Sequence, residues 1–257
     1  MKNLSSENEI LVIFSIAMAF FLSGFLITRF FVLPANRNSI LQYEGVVASF
    51  FSLPAVLFSL TTALMATSIW ENYSIASKSV KSESQGLMNV ISLSEQVPFL
   101  KESNLTEISR IYAKSIIEEE WQTLSVGIKN SPETKSKFLA FREELFRVAN
   151  EKNNSAESWA LKNAFQTIND ARDLRLSFVS FDIHPMRLYS IFVLALFVQI
   201  SIAFVHLTTP KALIVAMMIS TATVLIPISM IVLTLSSPYQ GILAISNTPY
   251  LKLFSPP

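Results

Sequence analysis

The chain has 257 residues, of which 51% are apolar and 15% charged, with a formal net charge of +1 and no cysteine. The missing cysteines exclude disulfides, thiolate metal sites and cysteine nucleophiles, and the near-zero charge gives no footing for nucleic acid as a partner. The apolar residues fall in long blocks, not at strand or surface-helix spacing, which puts the chain in the membrane class.

Four blocks are long enough to cross a bilayer: residues 10–31, 46–69, 188–207 and 212–235. At a rise of 1.5 Å per residue each reaches about 30 Å, the thickness of a hydrocarbon core. The first block is expected to be a retained span. Its 22 residues exceed the roughly 7–15 of a cleaved signal, and no small-x-small site follows before Pro34.

Between the second and third blocks the composition changes. Residues 71–187 hold 15 of the 20 Lys and Arg and 16 of the 19 Asp and Glu. Few glycines interrupt this stretch, and its breakers cut it into four predicted helices at 73–96, 105–129, 132–150 and 155–179. Ser131 before Pro132, and Ser155 in "SAES", are the expected N-caps. The expected fold is an all-α membrane protein of two transmembrane hairpins, 1–70 and 188–237, joined by a helical cytosolic domain at 71–187. A cytosolic C-terminal segment, 238–257, completes it.

Orientation follows from the basic residues. The short loops at 33–42 and 208–211 hold one basic residue each, whereas Lys78, Lys81, Arg172, Arg175 and Arg187 flank the second and third spans. By the positive-inside rule the large domain and both termini are expected in the cytoplasm.

Catalytic chemistry is poorly supplied, and no catalytic residue, metal ligand or cofactor is assigned. No ionisable side chain lies at mid-membrane depth, since Arg29, Glu44 and His206 all fall near span ends, where snorkelling is the simple reading. A carrier's polar midplane site is therefore not expected. His184, with Asp182 nearby, reads as a polar residue turning the chain before Pro185. The run "EEEW" at 118–121 reads as a solvated helix face, because consecutive helical residues point about 100° apart and do not converge on one ion. The chain lacks the glycines of a phosphate loop.

The second span is unusual. Pro54 lies early in it, and Ser49, Ser52, Ser59, Thr61, Thr62, Thr67 and Ser68 stud it. Back-bonding to the helix's own carbonyls accounts for most of the hydroxyls, and close helix packing accounts for Ala55, Ser59, Ala63 and Ala66. What remains is Leu53, Leu57 and Thr61 at i, i+4 and i+8. Around a shared axis these would form a narrow hydrophobic ring able to gate by dewetting.

Here a resemblance enters. "LPAVLFSLTTALMATSIWENY" resembles the second span of the bestrophin chloride channels, "LSSPYQG" resembles the motif with which they leave their last span, and "HPMRLYSIFVLALF" is similar to the entry into their third. The likeness is closer to the bestrophin-like family, a domain of unknown function. Its marks are Trp70 and Tyr73 after span two, the helix "ASKSVKSESQGL" with its one acid, Tyr112, Glu120 and Trp121, Arg172 and Arg175 before span three, and a terminal motif at Pro238, Tyr239 and Gly241.

The resemblance implies a homo-oligomer, pentameric by analogy, embedded in the bilayer and passing ions through a neck lined by Leu53, Pro54, Leu57 and Thr61. Leu57 and Thr61 replace the family's phenylalanine rings. The tail "ILAISNTPYLKLFSPP" has no acid where animal bestrophins bind calcium, so no calcium clasp is expected. Pro238, Tyr239 and Gly241 are instead expected to turn the C-terminal segment back onto the helical domain. The competing expectation is a membrane-anchored interaction or sensor protein acting through its helical domain.

Overall fold

The structure, a computed structural model, describes residues 6–33, 39–42, 48–129, 131–151, 155–180, 185–206, 208–233, 238–239 and 243–254. Among these residues it is helical, without strands. In chain order the elements are α1 (Ser6–Val32), α2 (Ala48–Gln96), α3 (Pro98–Lys101), α4 (Leu105–Ser115), a π-helical turn (Ile116–Glu120), α5 (Trp121–Ser125), α6 (Pro132–Glu151), α7 (Ala156–Ser177), a 3-10 turn (Phe178–Ser180), α8 (Pro185–Val205), α9 (Pro210–Leu233), α10 (Thr248–Leu251) and a last 3-10 turn (Lys252–Phe254). Four of them, α1, α2, α8 and α9, are long and apolar enough to cross a membrane.

The chain divides into two compact units. One comprises Leu4–Trp70 and Asp182–Leu235, and the other Met1–Asn3, Glu71–Phe181 and Ser236–Pro257. The helix α2 runs through both with 49 residues. Trp70 to Tyr73 contain neither Gly nor Pro, so the change from apolar to charged composition alters the surroundings of the helix without ending it.

In the apolar unit, α1, α8 and α9 pack on one another. Phe20, Ile191, Ala195, Val198, Val224, Ile228 and Ile231 from these helices enclose Phe58, Met65 and Ile69 of α2. Gln199 is fully buried within α8. It supplies a polar centre that the sequence reading did not anticipate, but its amide is spent on other helices: Ser23 Oγ donates to Oε1 at 2.7 Å, and Nε2 donates to the Phe20 carbonyl at 3.2 Å and to Thr221 Oγ1 at 3.1 Å. An amide bonded in this way holds helices together.

The other unit is a bundle built on the second half of α2, with α4, α6 and α7. Residues 76, 80, 83, 87, 90 and 94 of α2 are all buried, a heptad-like stripe. Both expected N-caps form. Ser131 Oγ accepts from Thr134 N–H at 3.3 Å and Ser155 Oγ from Ser158 N–H at 3.1 Å. The predicted helix at 105–129 ends earlier, at Ser125, because Gly127 takes φ 77°. Gly127 N–H then reaches Leu124 O and Ile128 N–H reaches Thr123 O, the paired bonds of a Schellman stop. Gly86 lets α2 meet α7: a Cβ there would lie 2.5 Å from Ile168 Cγ1.

Gly86→Ala is therefore expected to destabilise this bundle by about 1–3 kcal/mol through overpacking. Thermal unfolding followed by circular dichroism in detergent checks this; an unchanged midpoint would mean that Ile168 yields freely.

Candidate functional site

The bundle unit encloses a closed set of charges. Glu83 stands in the buried stripe of α2, Glu120 ends the π-helical turn, and Arg172 and Arg175 sit one turn apart on α7. Glu83, Glu120 and Arg175 are fully buried and Arg172 nearly so. Arg175 Nε donates to Glu83 Oε2 at 2.7 Å and Nη2 to Glu120 Oε2 at 2.6 Å. Arg172 grips Glu120 with both nitrogens, Nη2 to Oε1 at 2.6 Å and Nη1 to Oε2 at 2.9 Å. Its guanidinium also lies over the Phe138 ring, 5.0 Å from the centroid.

Two carboxylates against two guanidiniums make the set neutral. Tyrosines fill the remaining oxygen positions of Glu83: Tyr112 donates to Oε1 at 2.6 Å and Tyr250 to Oε2 at 2.7 Å. Tyr239 donates to the Arg175 carbonyl at 3.1 Å, and Trp121 meets the rings of Tyr239 and Tyr250 edge-on. Ser84 Oγ donates to the Pro249 carbonyl at 2.7 Å. The C-terminal segment is thus strapped across α2 and α7, with Tyr239, Ile245, Tyr250 and Leu253 in the bundle core.

Protonation follows from burial and pairing. Burial would raise the carboxyl pKa of Glu120, but the adjacent Arg175 and Arg172 overcome it and hold the group below its ordinary value. Burial pushes the phenols of Tyr112, Tyr239 and Tyr250 up, and the charge of Glu83 adds to it, so all three remain hydrogen-bond donors. Desolvation opposes the charge of Arg172, yet Tyr112 and Glu120 leave its pKa raised. The arrangement holds charge in place and presents no free base or nucleophile.

These positions correct two readings of the sequence. Of "EEEW", Glu118 is exposed but Glu120 is a core residue, because it falls in the buried series Ser109, Tyr112, Ile116, Glu120 and Leu124. Arg172 and Arg175 are likewise core residues continuing Leu161, Phe165 and Ile168. They are neutralised inside the fold and add nothing to the surface charge counted for orientation. The marks of the family resemblance, scattered in sequence, converge here: Glu83, Tyr112, Glu120, Trp121, Arg172, Arg175 and Tyr239 form one cluster. Sequence reasoning missed the pairing and also Tyr250. The available signal was a charged residue at a core position of each helical stripe.

The predicted neck residues lie on the membrane-type half of α2. Leu53 and Leu57 are 56% and 50% exposed, while Pro54 and Thr61 are half-buried. The exposed ridge continues from Leu57 to Leu60 and Leu64, and Thr61 has turned toward the buried stripe of Phe58, Thr62, Met65 and Ile69. At 3.6 residues per turn a straight ridge advances by four and then three residues, so i+8 drifts off it. Ser59, Thr67 and Ser68 donate to carbonyls of their own helix, as back-bonding requires. Trp70 is exposed, Tyr73 packs on the bundle core, and Pro238 precedes the buried Tyr239. Gly241 lies outside the described residues, as do His184 and Asp182.

Removing one partner from a buried ion pair strands the other, so Arg175→Ala is expected to cost about 3–5 kcal/mol, with Arg175→Lys a poor substitute for the two-pronged guanidinium. Tyr250→Phe should cost about 1.5–3 kcal/mol, the worth of a hydrogen bond to a charged group. Chemical denaturation of the detergent-solubilised protein measures both.

The sign for acid is equally definite. The folded pKa of Glu120 is depressed, so its contribution is present above the ordinary glutamate value of about 4.3 and is lost as pH falls through the lower folded value. Stability should be level near neutrality and decline below about pH 5, and Glu120→Gln should remove that component of the decline.

A family model described as a bestrophin-like domain matches residues 15–250. Neither the curated proteins nor the solved structures compared with the chain gave a match.

Proposed function

The chain belongs to the bestrophin-like family, and from that premise we propose that it assembles as a homo-oligomeric passive ion channel, conducting anions through a neck lined by α2. The family and the four apolar helices mark a membrane protein of channel type rather than an enzyme. The observation that carries the reading further is on α2. Of the four candidate spans it is the least apolar, yet it leaves a ridge of Leu53, Leu57, Leu60 and Leu64 uncovered opposite the face packed on α1, α8 and α9. In a ring of copies that ridge would face the axis, and a constriction of leucines a few ångströms wide empties of water and blocks ions until it widens.

The topology proposed with it is two hairpins with the bundle unit in the cytoplasm, together with both termini. Lys78, Lys81 and Arg187, all exposed, supply the positive-inside signal once Arg172 and Arg175 are set aside. Pentamer is the subunit number that the family analogy suggests. Passive flow suits a chain whose apolar helices carry no ionisable side chain at mid-depth, because it requires neither a proton relay nor a nucleotide site.

Purified protein in planar bilayers under a chloride gradient tests this. Leu57→Ala should widen the neck and raise basal conductance, and Leu57→Asp should disturb gating or assembly. Currents that neither substitution changes would remove α2 from the pore and favour a membrane-anchored interaction protein.

A further inference from the structure

Between α2, α8 and α9 the apolar unit holds a groove of about 760 Å³, a size that takes a small hydrophobic molecule. Its walls are largely hydrocarbon, from Phe58 and Ala63 of α2, Val198 and Ile202 of α8, and Ile219 and Val224 of α9. Among the described residues, no Lys, Arg, Asp or Glu lines it. An ion or a zwitterionic headgroup would lie there unpaired, so the groove calls for a neutral occupant.

Most polar side chains in the groove are already bonded. Ser59, His206, Ser220 and Thr223 each meet a carbonyl three or four residues back in the chain, which for a hydroxyl is the usual outlet in an apolar helix. Thr62 lines the groove without taking that outlet. It is 6% exposed, and among the described residues its Oγ1 has no hydrogen-bond partner. A second polar group is left over on α9, where Pro227 stands inside the helix and lines the same groove. Proline has no N–H, so the Thr223 carbonyl one turn back loses its helical donor. Hydrocarbon offers neither group a partner, so each must find one in the protein or in a ligand.

We propose that this groove is a binding site for a neutral, hydroxyl-bearing hydrophobic molecule, in its simplest form a long-chain alcohol. A hydroxyl both accepts and donates. It accepts from Thr62 Oγ1 and donates to the Thr223 carbonyl, while its hydrocarbon lies against Phe58, Ala63 and Ile202. An ether or an ester only accepts and serves one of the two groups, and a bare alkyl chain serves neither. The lining includes none of Leu53, Leu57, Leu60 and Leu64, so the site does not depend on the channel reading.

Photolabelling of the full chain in phosphatidylcholine nanodiscs with a diazirine-bearing decanol, followed by peptide mass spectrometry, tests this. Adducts should fall on residues 55–66, 198–206 and 216–227, the segments that bound the groove, and Ala63→Trp, which fills it, should remove them. Decanol should displace the label about fivefold better than its methyl ether, the worth of one hydrogen bond, and the ether better than undecane. In Thr62→Val, which keeps the shape of the side chain, decanol should lose about fivefold while undecane keeps its affinity. Pro227→Ala supplies the missing N–H and should bring decanol and its ether level.

Adducts only outside these segments, or none at all, would overturn the proposal. So would undecane competing as well as decanol, which would make the groove a bed for plain lipid chains, and so would a folded Thr62→Val protein that binds decanol as before. The competition series on the unsubstituted chain needs no variant, so the test stands even where a substituted chain fails to fold. A chain that conducts nothing but ranks the competitors in this order would sink the channel reading and leave the site standing, and a chain that conducts without the order would do the reverse.

Discussion

The bundle unit depends on four charges being buried together. Taking each ion out of water costs several kcal/mol, and mutual attraction offsets this only when every oxygen and guanidinium is well used. Glu83 has more lone-pair positions than Arg175 can fill, and Tyr112 and Tyr250 occupy the rest. Among the described residues, Arg175 Nη1 is the one group of the set left without a partner. Because the charges come from α2, the π-helical turn and α7, and the tyrosines that complete them from α4 and the C-terminal strap, all of these must be in place before the set is satisfied. Such a cluster adds little net stability over an apolar core of the same shape. Its effect is on register, since a slip of α2 or α7 by one residue would leave a charge unpaired in the core.

The apolar unit follows the opposite solvent logic. Water is the competitor that the bundle must exclude, whereas in a bilayer the competitor is hydrocarbon, and one satisfied amide is enough to tie three helices. Gln199 does this for α1, α8 and α9 at the level where Gly24 lets α1 approach α9. Among the described residues, α2 joins the same core through Phe58, Met65 and Ile69.

What could be read from the sequence was what depends on local pattern. Block length located the four apolar helices, and Ser131 with Pro132, and Ser155, located two helix starts within a residue. The early stop at Gly127 was available but overlooked, because a lone glycine near a loop gives no indication of a left-handed turn until the Schellman bonds are seen. The charge cluster was not legible as a cluster, since Glu83 and Arg175 are 92 residues apart and pairing at that range leaves no local trace. Each member had nonetheless left a mark, a charged side chain where helical periodicity called for an apolar one. Reading Arg172 and Arg175 as surface charge, and "EEEW" as a solvated face, came from weighing residue type above position in the stripe. On α2 the leucines at 53 and 57 were legible from spacing, while the turn of Thr61 toward the packed face needed the helix drawn against its neighbours.

A pore lined by α2 requires an axis, and an axis requires a closed ring of copies. Native mass spectrometry of the full chain released from mild detergent counts the subunits directly. A single closed assembly of five, the number the family analogy suggests, or of another ring of at least four, is the predicted result. A monomer or dimer, stable across detergents and lipids, would contradict it and leave the leucine ridge facing lipid.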